Sequence, residues 1–398
     1  MTYSETLKHP VIRRLSLIQL ISYFGTWFSQ VAIFAMIVDF GASEITIAFT
    51  AAMAMVPAVV LAPVIGNVID RVPFKRLMLI LLLVEIGMTL GFIFIDSLKY
   101  LWVLLILIFF RSAAASMLFS AEMTLFPKLV QGDMLKNTNE IHSIIWSLCY
   151  AVGMAAGGIA THYMGFDAAF MIDAFLYSIS VVLLLGLPLS LSNEKHTKSH
   201  LQMFKEGFTY LLAKKKLLHL IFLHASIGLT SFDALITLLA DFEYKTLIAV
   251  PLAIGWMNAT RALGLMIGPF FISSIISKNN LHYFFMLQGL AIILWSQMEY
   301  NFYYALISLF ITGFFITTLW SYTYLFIQEE TASNYMGRVI SYNDMFFMLS
   351  NVFTALFIGY ASKWGMSLEG ITFTLGSGFI LTALYYLWFK RRYLTTSS

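Results

Sequence analysis

The chain has 398 residues, of which 60% are hydrophobic and only 11% charged, and its formal net charge is +3. Soluble domains carry about a quarter charged residues, so an ordinary soluble fold is excluded. So small a net charge gives no reason to expect a nucleic-acid partner.

Backbone groups in lipid must be satisfied internally, by helices or by a closed barrel. The apolar runs here are long and unbroken rather than short and alternating, which selects helices. One span needs about 20 apolar residues. In chain order the runs predict twelve, at roughly 13–38, 45–68, 76–96, 99–124, 138–162, 166–188, 216–240, 246–276, 281–298, 301–327, 336–361 and 369–389. The first run is too long for a signal-peptide core and lacks a small-x-small cleavage site, so it is expected to stay as the first helix. A short charged stretch, Gly66 to Arg76, separates the second and third spans. The only cysteine, Cys149, lies in an apolar run and is expected to be a small core residue.

The longest connection, 189–215, follows the sixth span. Within it Leu201, Phe204, Phe208, Leu211 and Leu212 recur at helical spacing, which predicts an amphipathic helix at the membrane surface. The expected organisation is therefore a six-helix half at 1–190, a linker with this helix at 191–215, and a second half at 216–398. Gly158 to Gly165 after the fifth span echoes Gly359 to Gly365 after the eleventh. Parallel six-span repeats of this kind recur in transporters, with the site near the midplane. The fold class expected is an all-α membrane protein of twelve helices in two pseudo-symmetric halves.

Basic residues fix the expected orientation, because positively charged loops are retained in the cytoplasm. Of the 24 lysines and arginines, 19 fall on the side of the N-terminus and three on the other; Arg111 and Arg261 lie inside spans. Both termini are expected in the cytoplasm.

Ionisable residues inside a span cost roughly 2.5–3.5 kcal/mol on insertion scales, so each is a functional candidate. Arg111 and Glu122 are 11 residues apart in the fourth span, on nearly the same helix face and about 16 Å along the axis. They are expected to line one side of a central cavity, or else to bind neighbouring helices structurally. Asp233 in the seventh span and Asp344 in the eleventh are proton-site candidates; Asp233 could instead bond Thr230 and be inert. Arg261 could be a counter-ion to either, or could hold an anionic substrate. Trp27 and Phe28 in the first span and Trp320 in the tenth are the aromatics expected nearest the cavity. Glu85, Asp173, His142 and His224 read as structural.

The stretch after the second span, with Gly66, Asp70, Arg71, Lys75 and Arg76, is similar to the signature G-x-x-x-D-R-x-x-x-R-R of the major facilitator superfamily, with Lys75 replacing one arginine. Phe24 to Ala32, Phe204 to Leu211 and Gly337 to Ser341 resemble one branch of it, the third drug:proton antiporter family, which holds macrolide exporters and the enterobactin exporter. Arg111, before a small-residue stretch, resembles that family's fourth-helix arginine. The resemblance implies alternating access in a bacterial cytoplasmic membrane, by a monomer exporting an amphipathic small molecule, a drug or siderophore, against protons. Independently of the resemblance, the stretch Gly66, Asp70, Arg71, Lys75 and Arg76 is expected to gate: a carboxylate at Asp70 on the cytoplasmic rim would latch against the start of the eleventh span near Arg338, or else Arg71, Lys75 and Arg76 merely anchor the loop.

The sequence contains no phosphate-binding loop, metal-ligand cluster or nucleophile elbow, so no enzyme, cofactor or metal is expected. The competing reading is a lipid-handling protein that flips a lysophospholipid without proton coupling.

Overall fold

In the computed structural model the described residues are 2–188, 200–332 and 335–394; the side chains at 63, 64, 66, 67, 70 and 200–205 also lie outside the description. Regular structure among these residues is helical throughout: α1 (Tyr3–Thr6), α2 (Pro10–Asp39), α3 (Glu44–Arg71), α4 (Phe74–Phe92), α5 (Leu101–Leu129), α6 (Gly132–Met164), α7 (Phe166–Leu185), α8 (His200–Ala213), α9 (Lys215–Ala225), α10 (Asp233–Leu239), α11 (Val250–Ile272), α12 (Leu281–Met298), α13 (Phe302–Glu330), α14 (Met336–Lys363) and α15 (Leu368–Tyr393). Among the described residues eleven stretches are long and apolar enough to cross a membrane, one of them Lys215–Tyr244, which contains α9 and α10. The remaining predicted span is α4, whose 19 residues include Lys75, Arg76 and Glu85.

Two spans differ from the sequence expectation in informative ways. The helix α3 runs on to Arg71 and α4 starts at Phe74, so the charged stretch is mostly helix and the turn itself is Val72-Pro73. Proline has no N–H to leave unsatisfied and suits a helix start. The seventh span is not continuous. After α9 the chain tightens into a 3₁₀ turn at Ser226–Thr230, Ser231 is non-helical at φ −74° and ψ 78°, and α10 gives way to a π turn at Ala240–Tyr244. Irregular backbone at membrane depth is tolerated where protein surrounds it.

The chain divides into two compact units, Met1–Ala42 with Val64–Thr197 and Ile248–Ala259, and Ser43–Pro63 with Lys198–Leu247 and Thr260–Ser398. In the first, α2 packs on α6 and α7, and α4 packs on α5 and α7. Its buried core joins Leu15 and Ile18 of α2, Leu77, Met78 and Leu82 of α4, Leu118 and Leu125 of α5, and Tyr177 and Leu184 of α7. Cys149 is 1% exposed, and its thiol donates to Leu20 O at 3.3 Å. In the second unit α12 packs on α13 and α15, and α14 packs on α9 and on the 3₁₀ turn.

The glycine echo read in the sequence has a physical counterpart in each unit. Gly165 and Gly365 close α6 and α14 at φ +84° and +88°, a region that side chains disfavour. A Cβ at Gly158 would lie 2.6 Å from Pro251 O, and one at Gly359 would lie 2.9 Å from Glu44 O. Small residues at these points let helix backbones touch.

The amphipathic helix expected in the linker is α8. Leu211 is buried, while Phe208 and Leu212 are 42% and 53% exposed. It is held to the start of α14, where Glu206 and Arg338 are 3.4 Å apart and Phe208 meets the Tyr342 ring at 5.7 Å.

The turn between α12 and α13 buries a carboxyl that the sequence reading passed over. Glu299 is 5% exposed, accepts from Thr372 Oγ1 at 2.8 Å, and its backbone carbonyl accepts from Tyr244 OH at 2.5 Å. Burial, reinforced by Glu369 and Glu243, pushes its carboxyl up to about 8 from an ordinary 4.5. The folded protein therefore keeps a proton that the unfolded chain has released, so this group's stabilisation is complete below pH 4.5 and is lost as pH rises toward 8. Melting curves of Glu299→Gln across that window are expected to slope less with pH than those of the parent; an unchanged slope would refute the assignment.

Candidate functional site

Polar side chains in the first unit fall on stripes set by helical spacing. Helix α2 contributes Gln19, Tyr23, Thr26 and Ser29; α4 contributes Glu85 and Thr89; α5 contributes Arg111 and Glu122; α7 contributes Asp173 and Tyr177. Hydroxyls on α2 bond back to their own helix, Thr26 Oγ1 to Ser22 O at 2.9 Å and Ser29 Oγ to Gly25 O at 3.1 Å. That satisfies them in an apolar setting while leaving them able to accept.

These stripes converge on two nodes. In the first, Arg111 Nη2 donates to Asp173 Oδ2 at 3.0 Å and to Ser29 Oγ at 2.6 Å, and reaches Thr26 O at 3.4 Å. Tyr177 OH stands 2.6 Å from Thr26 Oγ1. Glu85 is on the same node: its oxygens meet no donor at hydrogen-bonding geometry, while the Tyr177 hydroxyl and the charges of Arg111 and Asp173 act on it. In the second node Glu122 Oε2 accepts from Tyr23 OH at 2.5 Å and from Gln19 Nε2 at 3.1 Å, and Oε1 has no partner. Arg111 and Glu122 share a helix, as expected, but both are buried, at 4% and 0% exposure.

The aromatics of α2 sit beside these nodes. Trp27 meets the Tyr150 ring at 4.4 Å and the Trp146 ring at 5.6 Å, and Phe28 is buried. Tyr150 OH donates to Asn258 Oδ1 at 3.1 Å. The His142 ring is also buried, edge-on to Tyr23 at 5.7 Å, with neither nitrogen bonded.

In the second unit the break in the seventh span organises the charges. Arg261 Nη2 donates to Thr230 O at 2.8 Å and lies 4.8 Å over the Phe232 ring, so α11 satisfies a carbonyl that the broken helix leaves free. Its charge acts on Asp233, which opens α10. The Thr230 hydroxyl bonds Ile227 O at 2.9 Å rather than Asp233. One turn before the break, the His224 ring is enclosed by Trp320, Tyr324 and Phe347 at 5.4, 5.6 and 5.5 Å, with Nδ1 2.8 Å from Thr323 Oγ1. Trp320 stacks on Tyr324 at 4.8 Å and is 37% exposed. Asp344, half-buried on α14, accepts from Asn343 Nδ2 at 3.3 Å.

Of the residues in the charged stretch after the second span, the side-chain positions at Gly66 and Asp70 lie outside the description. Arg71 and Arg76 are exposed. Lys75 reaches across to α7, donating to Leu185 O at 2.8 Å and Leu187 O at 2.9 Å, and Arg14 donates to the intervening Gly186 O. Cations on the last carbonyls of a helix satisfy them and oppose its dipole. Lys75→Met is expected to cost about 1–2 kcal/mol, read as a fall of roughly 2–4 °C in melting temperature; an unchanged value would mean that the carbonyls are equally well solvated without it. Arg338 is engaged by Glu206 and lies 5.2 Å over the Tyr335 ring.

The model of the Major Facilitator Superfamily matches residues 15–252. An uncharacterized MFS-type transporter of Bacillus subtilis, YfiS, is 28% identical over 199 residues, 48% of this chain and 47% of that protein. A putative multidrug resistance protein of Serratia proteamaculans, MdtD, is 25% identical over 150 residues, 35% of this chain and 31% of that protein. The chain thus spans half or less of the length of the curated relatives it matches. Among solved structures, the POT family transporter PepTSo superposes with a TM-score of 0.76 at 12% identity, over 97% of this chain and 98% of that one. A bacterial homologue of the lysosomal transporter Spinster gives 0.75 at 13%, over 97% of each chain. The nucleoside transporter NupG gives 0.72 at 14%, over 96% of this chain and all of that one. A family match over more than half the chain and the same fold over nearly all of it meet in a helical bundle with charges buried inside each unit: this multi-pass membrane protein belongs to the major facilitator superfamily.

Proposed function

We propose that the protein is a secondary active transporter that exports an amphipathic small molecule in exchange for protons by alternating access. The observation that carries this reading is Glu122, a carboxyl with 0% exposure whose Oε2 takes two donors while Oε1 has none. A wholly buried acid is costly and rarely retained without a task. Gaining or losing a proton there changes the charge of a dry site and the grip of Tyr23 and Gln19, which is what coupling requires.

Asp233 is the second coupling candidate, facing Arg261 at the break in the seventh span, and Asp344 the third. Trp320, with Tyr324 and His224, offers a flat aromatic wall for a substrate that is partly apolar, and Trp27 offers another. Soft and aromatic walls suit varied ligands. The name of the Serratia relative, a putative multidrug resistance protein, agrees with a drug-like substrate. In the same reading Asp70 and Arg71 form a gate with the start of α14, Arg111 orders the first unit, the chain works as a monomer in a bacterial cytoplasmic membrane with both termini inside, and the two functional halves are 1–190 and 216–398.

Proton flux in inside-out vesicles with an acidic interior tests the proposal. Addition of a catecholate siderophore or a macrolide is expected to discharge the gradient only in vesicles that contain the protein. If neither does, export of those classes by proton exchange is refuted, and lysophospholipid flipping is the next assay.

A further inference from the structure

The Arg111 node contains more acid than base. Glu85 and Asp173 are 1% and 0% exposed, and the guanidinium beside them is 4% exposed. The groups that face Glu85 are Arg111 and Glu122 from α5, Asp173 and Tyr177 from α7, and Tyr23 from α2. Arg111 is the only cation among them, and it is already committed to Asp173 at 3.0 Å. Glu122 cannot balance Glu85, being itself acidic and held by Tyr23 and Gln19. A second carboxylate in this dry node would therefore be an unpaired buried charge, which costs far more than a neutral acid.

We infer that the first unit contains a proton-binding site at Glu85, in which Arg111 neutralises one of two carboxyls at a time and the other is held as the neutral acid. Two observations point to Glu85 as the holder of that proton. Both of its oxygens lack a donor, whereas Asp173 has the direct ion pair; and the Tyr177 hydroxyl, 2.6 Å from Thr26 Oγ1, also acts on Glu85, so it is free to accept from a protonated Glu85 while donating to Thr26. The balance is simple: one guanidinium, one carboxylate, one carboxylic acid. Removing the Asp173 carboxylate frees Arg111, so Glu85 releases its proton to solvent and takes the ion pair in its place. The inference holds for the protein at rest and does not depend on the transport reaction proposed above.

The test uses the purified full chain without substrate. Infrared difference spectra between the parent and Glu85→Gln are expected to show loss of one protonated-carboxyl band, and Asp173→Asn should lose the same band as Glu85 ionises against Arg111. Melting temperatures supply the second arm. Each single variant is expected to stay within about 3 °C of the parent, because one carboxyl remains for Arg111, whereas Glu85→Gln with Asp173→Asn should fall by roughly 8 °C. Should Glu85→Gln fail to fold, the Asp173→Asn spectrum decides alone. A Glu85→Gln spectrum that loses no protonated-carboxyl band, an Asp173→Asn spectrum that keeps the band Glu85→Gln removes, or an Asp173→Asn protein as unstable as the double variant, overturns the inference.

Discussion

Arg111→Met is expected to lower the stability of the folded bundle by about 3–5 kcal/mol, the cost of removing one partner from a buried ion pair. The guanidinium holds three groups at once, Asp173 Oδ2, Ser29 Oγ and Thr26 O, on two other helices. Its removal leaves Asp173, at 0% exposure, without a counter-charge and leaves α2, α5 and α7 without their shared polar contact. In a chain of this size the loss should read as a melting temperature lower by roughly 5–10 °C. Arg111→Lys should recover only part of it, because all three contacts are made by Nη2 at the tip of the guanidinium, farther from the backbone than a lysine ammonium reaches. Pairing Arg111→Met with Asp173→Asn should recover more, since no unpaired charge then remains at that pair. A melting temperature unchanged in Arg111→Met would mean that water reaches the node, and the description of it as dry would be wrong.

The largest functional effect is expected from Glu122→Gln combined with Asp233→Asn. Both substitutions keep shape and remove the ability to exchange a proton. If the two carboxyls carry the coupling, substrate-driven proton flux should fall to the level of vesicles without the protein, with the variant still folded and still in the membrane. The single variants assign the role. Loss with Glu122→Gln alone places coupling in the first unit, where Tyr23 and Gln19 hold that carboxyl. Loss with Asp233→Asn alone places it beside Arg261 at the broken seventh span. Full proton-coupled transport by the double variant at every pH would sink the proposal for both residues.

Much of the fold was legible because lipid leaves the backbone few options. A run such as 281–298 reads directly as a span and is one, Leu281–Met298. The glycine echo was visible because a positive φ and a close helix contact both demand that residue, at corresponding places in the two units. The break in the seventh span was not read, although Gly228-Leu229-Thr230-Ser231 marks it; hydropathy there is that of an ordinary helix, and the break is supported by Arg261, 31 residues away. The node around Arg111 was only half legible. Periodicity placed Arg111 and Glu122 on one face, but which helix supplies a partner is a matter of packing, and Asp173 and Glu85 come from two different helices. The available signal was the paired spacing of Glu85 with Thr89 and of Asp173 with Tyr177, a polar stripe in an apolar span where a lone residue would more simply be structural. Glu299 gave no signal, since a glutamate in a short turn is ordinarily solvated.

The single thiol has a practical consequence. Cys149 is 1% exposed and directs its hydrogen to a backbone carbonyl, so it is shielded from thiol-reactive reagents in the folded protein. Cysteines introduced in pairs on the exposed ends of the helices would then be the only sites to accept a nitroxide or a fluorophore. Distances between such labels, followed as substrate or pH is varied, can chart the working cycle of this transporter without first engineering a cysteine-free background.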